Sequence, residues 1–184
     1  MNKIVAIVGM CGSGKTIASE YYESLGWPKV YFGGVTIDAV KEEGLEINPV
    51  NEKMIRERLR KDYGMGVCAT LLLPKIEEYA IKGNVVLDGL YSWDELKILK
   101  ERFGEQIIVI AIIADKKNRY NRLETREIRP LTNEEAETRD IAEIENLAKG
   151  GPIVFADYYI LNNDDLNTYK EKIEEITKQI LKEE

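Results

Sequence analysis

Histidine is missing from all 184 residues. That single absence removes Ser-His-Asp and Cys-His nucleophilic catalysis, and with them the commonest transition-metal ligand. Cysteine is nearly missing too. Cys11 and Cys68 stand far apart and form no C-x-x-C pair, so neither a disulfide framework nor a zinc site is indicated, and a reducing, cytoplasmic setting is expected. No apolar run reaches membrane-spanning length, and Met1-Asn2-Lys3 passes straight into a short apolar stretch; neither a membrane segment nor a signal peptide is expected. Positive charge is in deficit, with Lys plus Arg at 26 against Asp plus Glu at 33 and a net charge of −7. That balance argues against generic nucleic-acid or anionic-surface binding, while leaving room for a local basic pocket. Repeats, low-complexity segments and a linker are also lacking, so the length suits one domain with a real core.

What is present begins at Gly9. The run Gly9-Met10-Cys11-Gly12-Ser13-Gly14-Lys15-Thr16 is a full match to G-x-x-x-x-G-K-[ST]. It follows Lys3-Ile4-Val5-Ala6-Ile7-Val8, an apolar run of strand length, and precedes helix formers from Ile17 to Leu25 that stop at Gly26-Trp27-Pro28. A strand turning into a helix is the context in which this motif binds phosphate. Its glycines let backbone N–H groups point inward, and the loop feeds a helix N-terminus whose partial positive charge favours an anion. Lys15 is then expected to reach the β- and γ-phosphates of a nucleotide, and Thr16 to take a place on Mg²⁺. Gly9, Gly12, Ser13 and Gly14 supply the cradle.

Strands are expected at Lys29–Phe32, closed by Gly33-Gly34, then at Val85–Gly89, Gln106–Ala114 and Tyr158–Leu161. The Gln106–Ala114 segment is so continuously apolar that it reads as a strand covered on both faces. Helical patterns fill the intervals: Val35–Glu43, Pro49–Tyr63, Gly66–Lys82, Trp93–Phe103, Asp115–Arg126, Thr132–Lys149 and Leu166–Leu181. Thr132 and Glu135 have capping-box spacing, and Gly150-Gly151-Pro152 is expected to break the helix they open. Strands alternating with helices imply an α/β fold with a doubly wound, parallel, five-stranded sheet and ligands at the carboxyl ends of its strands.

Three further groups carry chemistry. Asp88 ends the third strand, where a phosphate-loop protein reaches its metal, and Gly89 follows it where many motor ATPases have a catalytic Glu. Arg119, Arg122 and Arg126 fall at i, i+3 and i+7, which places them on one helix face with Arg129 just beyond. Such a face can neutralise transition-state charge, chiefly through Arg122 and Arg126, or simply be solvated among Glu124, Glu127, Glu134 and Glu135. Arg56, Arg58 and Arg60 lie in the helical stretch between the second and third strands. Arg60 is the candidate there for a second substrate, with a plain surface role as the other reading.

Together the motifs resemble the nucleoside-monophosphate kinase and dephospho-coenzyme A kinase branch of P-loop kinases, and more closely a mainly archaeal group of adenylate kinase-related, dephospho-coenzyme A kinase-like proteins. The likeness runs over nearly the whole chain. It rests on Gly9 to Thr16, Leu59-Arg60 with Tyr63-Gly64, Val86-Leu87-Asp88-Gly89, Arg119 with Arg122-Leu123, Arg139-Asp140, and Ala156-Asp157-Tyr158 through Asn162. The resemblance implies a helical acceptor-binding insertion at about 34–82, a helical lid at about 115–150, and Asn162 beside adenine. It also implies ATP and Mg²⁺ as cofactors, with phosphoryl transfer to a small nucleotide-like acceptor. Two expected acceptor arginines are replaced, by Leu90-Tyr91-Ser92 after the third strand and by Gly33-Gly34-Val35-Thr36-Ile37 after the second. A nucleotide-binding regulatory protein with weak or no ATPase is therefore the alternative, and the oligomeric state stays open.

Overall fold

The computed structural model describes residues 1–182. Five strands, β1 (Ile4–Val8), β2 (Lys29–Tyr31), β3 (Val85–Asp88), β4 (Ile107–Ile113) and β5 (Tyr158–Leu161), form one sheet in the order β2-β3-β1-β4-β5. Every neighbouring pair is parallel. β1 and β4 are unbroken apolar runs because both of their faces are covered.

The period of two sorts the side chains between two cores. Ile4, Ala6, Val8, Leu87 and Val109 point to one side; Val5, Ile7, Val86, Ile108 and Ile110 point to the other. The second core is closed by α1 (Lys15–Ser24) and the last helix, while the first is closed by the two helices that flank β3.

Between β2 and β3 the chain forms α2 (Gly33–Glu42), α3 (Pro49–Tyr63) and α4 (Val67–Lys82). After β3 comes α5 (Trp93–Phe103), started by a capping box of Ser92 and Glu95. After β4 come α6 (Lys116–Thr125), α7 (Asn133–Glu145) and the short α8 (Gly150–Val154), and α9 (Leu166–Lys182) follows β5. No helix among the described residues is long and apolar enough to cross a membrane.

Three local departures from the sequence reading have physical reasons. Gly33-Gly34 does not close β2 with a loop but starts α2 at once. A Cβ at Gly33 would lie 2.4 Å from the Tyr31 ring, so a larger residue there would have to displace that exposed ring. Gly150-Gly151-Pro152 forms α8 instead of a plain break, because proline in a first turn costs no hydrogen bond that the helix would otherwise make. α6 ends at Thr125, whose hydroxyl donates back to the Asn121 carbonyl at 2.8 Å; this competes with continued helix and leaves Arg126 in extended backbone.

The chain visits β2 and β3 on one side of β1, then β4 and β5 on the other. The crevice where an open parallel sheet binds ligands thus opens beyond the carboxyl end of β1. The residues after β1 and at the end of β3 meet there.

Leu87 is fully buried in β3 against the α4–α5 side. Leu87→Ala should lower stability by about 2–5 kcal/mol, measured as a reduced denaturant midpoint at an almost unchanged m-value.

Candidate nucleotide-binding site

The loop from Gly9 to Gly14 takes its shape from positive φ values of 145° at Gly9, 78° at Gly12 and 102° at Gly14. Close approach adds a second reason for glycine. A Cβ at Gly14 would sit 2.3 Å from Asn162 Nδ2, and one at Gly12 would sit 2.7 Å from the Arg119 carbonyl oxygen. The loop is held from beneath, since Asn162 Nδ2 donates to the Ser13 carbonyl at 2.8 Å and the Tyr169 hydroxyl donates to the Gly14 carbonyl at 3.0 Å. It delivers the chain to the N-terminus of α1, the positive end of the helix dipole.

Two features of this cradle fit a polyphosphate. The Ser13 hydroxyl is buried without a hydrogen-bond partner, an arrangement that costs free energy unless a ligand completes it. Lys15 donates to the Met10 carbonyl at 2.9 Å. Burial, and next the charge of Lys149, hold its ammonium down at about 8, with Cys11, Glu143 and Asp88 acting the other way.

Asp88 ends β3 opposite Ile7 of β1. One carboxylate oxygen accepts from the Ser19 hydroxyl at 3.2 Å. Burial pushes its carboxyl above the ordinary range, against the pull of Ser19, Lys15 and Lys29. With Thr16 in the first turn of α1, Asp88 supplies the hard oxygen chemistry that suits Mg²⁺. Sequence reasoning missed Ser19, whose signal is its spacing one turn after Thr16 on the sheet-facing side of α1.

The arginines of 119–126 divide. Arg119 is buried and makes a bidentate pair with Asp140 of α7 at 3.0 and 2.6 Å while also donating to the Cys11 carbonyl at 2.9 Å. Arg122 donates one Nη to the Asn162 carbonyl at 2.9 Å; its other Nη is buried and unpartnered. Arg126 does not share their helix face, because α6 has ended, and it donates to the Arg129 carbonyl instead. Asn162 is buried and its side-chain amide meets the loop itself.

Arg60 of α3 has a buried Nε with no partner, and Glu95, whose charge acts on it, has a buried Oε1 with none. The other Glu95 oxygen accepts from the backbone N–H groups of Tyr91 and Ser92 at 2.8 and 2.9 Å. Burial raises the Glu95 carboxyl in spite of those bonds and of Arg60. The sequence reading singled out Arg60 but not Glu95, whose capping-box position at 92–95 was its one signal. Arg129 pairs with Glu52 of α3 at 2.9 Å, joining the segment after α6 to the insertion. Lys149 and Glu143 were missed as well; they are buried together near the loop, with Nζ 2.7 Å from Oε2.

These features define a P-loop nucleotide-binding protein with a kinase-like fold. The AAA domain family matches residues 5–142, which takes in the loop, Asp88 and most of the 115–150 segment. A UPF0200 protein of Thermococcus onnurineus is 33% identical over 184 residues, covering 98% of this chain and 99% of that one. A UPF0200 protein of Methanosarcina mazei is 32% identical over 98% of this chain and 97% of its own. The chain belongs to the UPF0200 family of AAA-domain proteins. Among solved structures, shikimate kinase from Bacteroides thetaiotaomicron aligns over 98% of this chain and 99% of its own with a TM-score of 0.66 at 12% identity. TT1252 from Thermus thermophilus aligns over 97% of both chains with a TM-score of 0.64 at 16% identity. These two share the fold.

Because the folded-state pKa of Lys15 lies near 8 and the ordinary value is 10.5, the unfolded chain holds more protons between those values. The stability that this group confers therefore grows as pH rises across that window. A bound polyphosphate restores the charged form, so ATP binding at about pH 9 should take up a proton. Calorimetry in buffers of different ionisation enthalpy should detect that uptake in the parent chain and lose it in Lys15→Met.

Proposed function

We propose that the protein is an ATP- and Mg²⁺-dependent kinase that transfers the γ-phosphoryl group to a small, nucleotide-like acceptor. One observation carries this reading. Four side chains, Ser13, Arg122, Arg60 and Glu95, each keep a buried polar atom without a hydrogen-bond partner, and buried polar atoms are ordinarily satisfied. Ser13 belongs to the phosphate loop and Arg122 donates to the Asn162 that braces it, whereas Arg60 of α3 and Glu95 of α5 neighbour each other. A hydrolase acting on nucleotide and water has no need of the second pair; a transferase with an acceptor does.

In this reading the loop amides and Lys15 hold the phosphates, and Arg122 neutralises charge that develops on the transferred group. Thr16 and Asp88 would hold Mg²⁺, which when bound supplies charge neutralisation on the phosphates. Asp88 also orients the acceptor oxygen, Arg60 binds the acceptor, and Arg126 shapes the lid segment through its bond to the Arg129 carbonyl. Asn162 supports the nucleotide end of the crevice. The kinase-like fold and the free, buried thiols of Cys11 and Cys68 suit a small-molecule enzyme of a reducing cytoplasm.

The second reading, a nucleotide-binding regulatory protein, draws on Gly89 after Asp88 and on Tyr91 where the resemblance leads one to expect an acceptor arginine.

The test is ADP formation with ATP and Mg²⁺ across nucleoside monophosphates, deoxynucleotides, nucleosides and dephospho-coenzyme A. One acceptor should raise the rate at least about 100-fold over water, and Lys15→Ala should abolish the increase with its fold intact. A flat panel with tight ATP binding would overturn the kinase reading in favour of the regulatory one.

A further inference from the structure

Lys149 is 1% exposed, an unusual place for an ammonium. Its Nζ lies 2.7 Å from Glu143 and 4.9 Å from the centre of the Tyr91 ring. Tyr91 in turn covers Gly89, next to Asp88, with its ring and hydroxyl 3.3–3.5 Å from where a Gly89 Cβ would stand. Glu143 is one turn beyond Asp140 on α7, and Asp140 is tied through Arg119 to the Cys11 carbonyl of the phosphate loop. Lys149 is therefore linked through Tyr91 to the turn after β3 and through α7 to the phosphate loop.

The backbone is built to bury it. Ala148, just before it, has a left-handed φ of 48°, a conformation that costs a residue with a Cβ about 1–2 kcal/mol. The Lys149 N–H closes the turn on the Glu143 carbonyl at 3.2 Å.

A structural ion pair does not account for this arrangement. Glu143 already accepts from Arg139 Nε at 3.2 Å, so Lys149 is not needed to neutralise it. Arg139 and Lys149 both meet the Glu143 carboxylate, and the charges of Lys149, Glu143, Asp88 and Cys11 all act on Lys15. The charges of Lys149 and Lys15 repel each other beside this carboxylate, and an arriving polyanion relieves that repulsion. The Lys149 side chain can exchange Glu143 for that anion without stranding a charge, since Arg139 stays with Glu143.

We propose that Lys149 is a second phosphate-site lysine, carried by the lid, which leaves Glu143 to grip the terminal phosphate of a bound nucleoside triphosphate. This rests on the nucleotide half of the proposed function and not on the acceptor half.

The test is equilibrium binding of MgATP and MgADP to the full chain, with no acceptor present. Lys149→Met should weaken ATP about 10- to 100-fold, the worth of one charge-assisted hydrogen bond, and leave ADP within about threefold. Lys149→Arg should restore the preference for ATP. Equal losses for both nucleotides in a folded variant, or no loss for either, would overturn the assignment. Should Lys149→Met fail to fold, Glu143→Gln decides: removing the competing carboxylate should tighten ATP selectively, and unchanged or weaker ATP binding would overturn the proposal. A selective ATP effect alongside a flat acceptor panel would sink the kinase reading and leave Lys149 standing. Absence of ATP binding in the parent chain would overturn Lys149 together with the nucleotide site.

Discussion

The buried pair of Arg119 and Asp140 is the interaction on which the site depends. One guanidinium joins three parts of the chain: α6, which carries it; α7, through two bonds to Asp140; and the phosphate loop, through the Cys11 carbonyl. The pair need not be a large source of net stability, because desolvation offsets most of its attraction. Its effect is to specify. The planar fork of Arg satisfies a carboxylate and a carbonyl in one fixed arrangement, so α6 and α7 cannot shift without disturbing the loop. Buried Tyr120 adds its hydroxyl to Asp140 at 3.3 Å, which closes the network on itself.

Around that junction the charges are distributed unevenly. Exposed pairs such as Lys82–Glu78 and Lys116–Glu137 contribute little each. Near the crevice the balance is the reverse of the −7 carried by the whole chain: Lys15, Lys149, Arg139, Arg122 and Arg60 converge there, while Glu143, Glu95 and Asp88 are the neighbouring acids. An acidic surface repels polyanions in general, and the cationic residues concentrate attraction at one place.

Much of the fold was legible in sequence because its signals are local. β1, β3 and β4 announce themselves as apolar runs of strand length, and α7 by the capping box of Thr132 and Glu135. The loop of Gly9 to Thr16 is legible for the same reason: its phosphate-binding geometry is encoded in contiguous residues. What resists reading is set by distance. Arg119 and Asp140 are separated by 21 residues, and nothing in either segment says that one is buried against the other, so helical spacing alone grouped Arg119 with Arg122 and Arg126. Lys149 looked like the end of a charged helix because burial is a property of the packed chain. Glu95 was hidden in a different way, since its capping role and its unpartnered oxygen belong to the same side chain.

The bond from Asn162 to the Ser13 carbonyl spans 149 positions of chain. The loop's curvature is thus braced by the end of the last strand, and Tyr169 of α9 adds a second brace beyond it. A nascent chain still emerging from the ribosome displays the whole glycine motif long before either brace exists. Affinity for nucleotide is accordingly among the last properties the molecule acquires in its synthesis, and fragments cut short of β5 carry the motif without the grip.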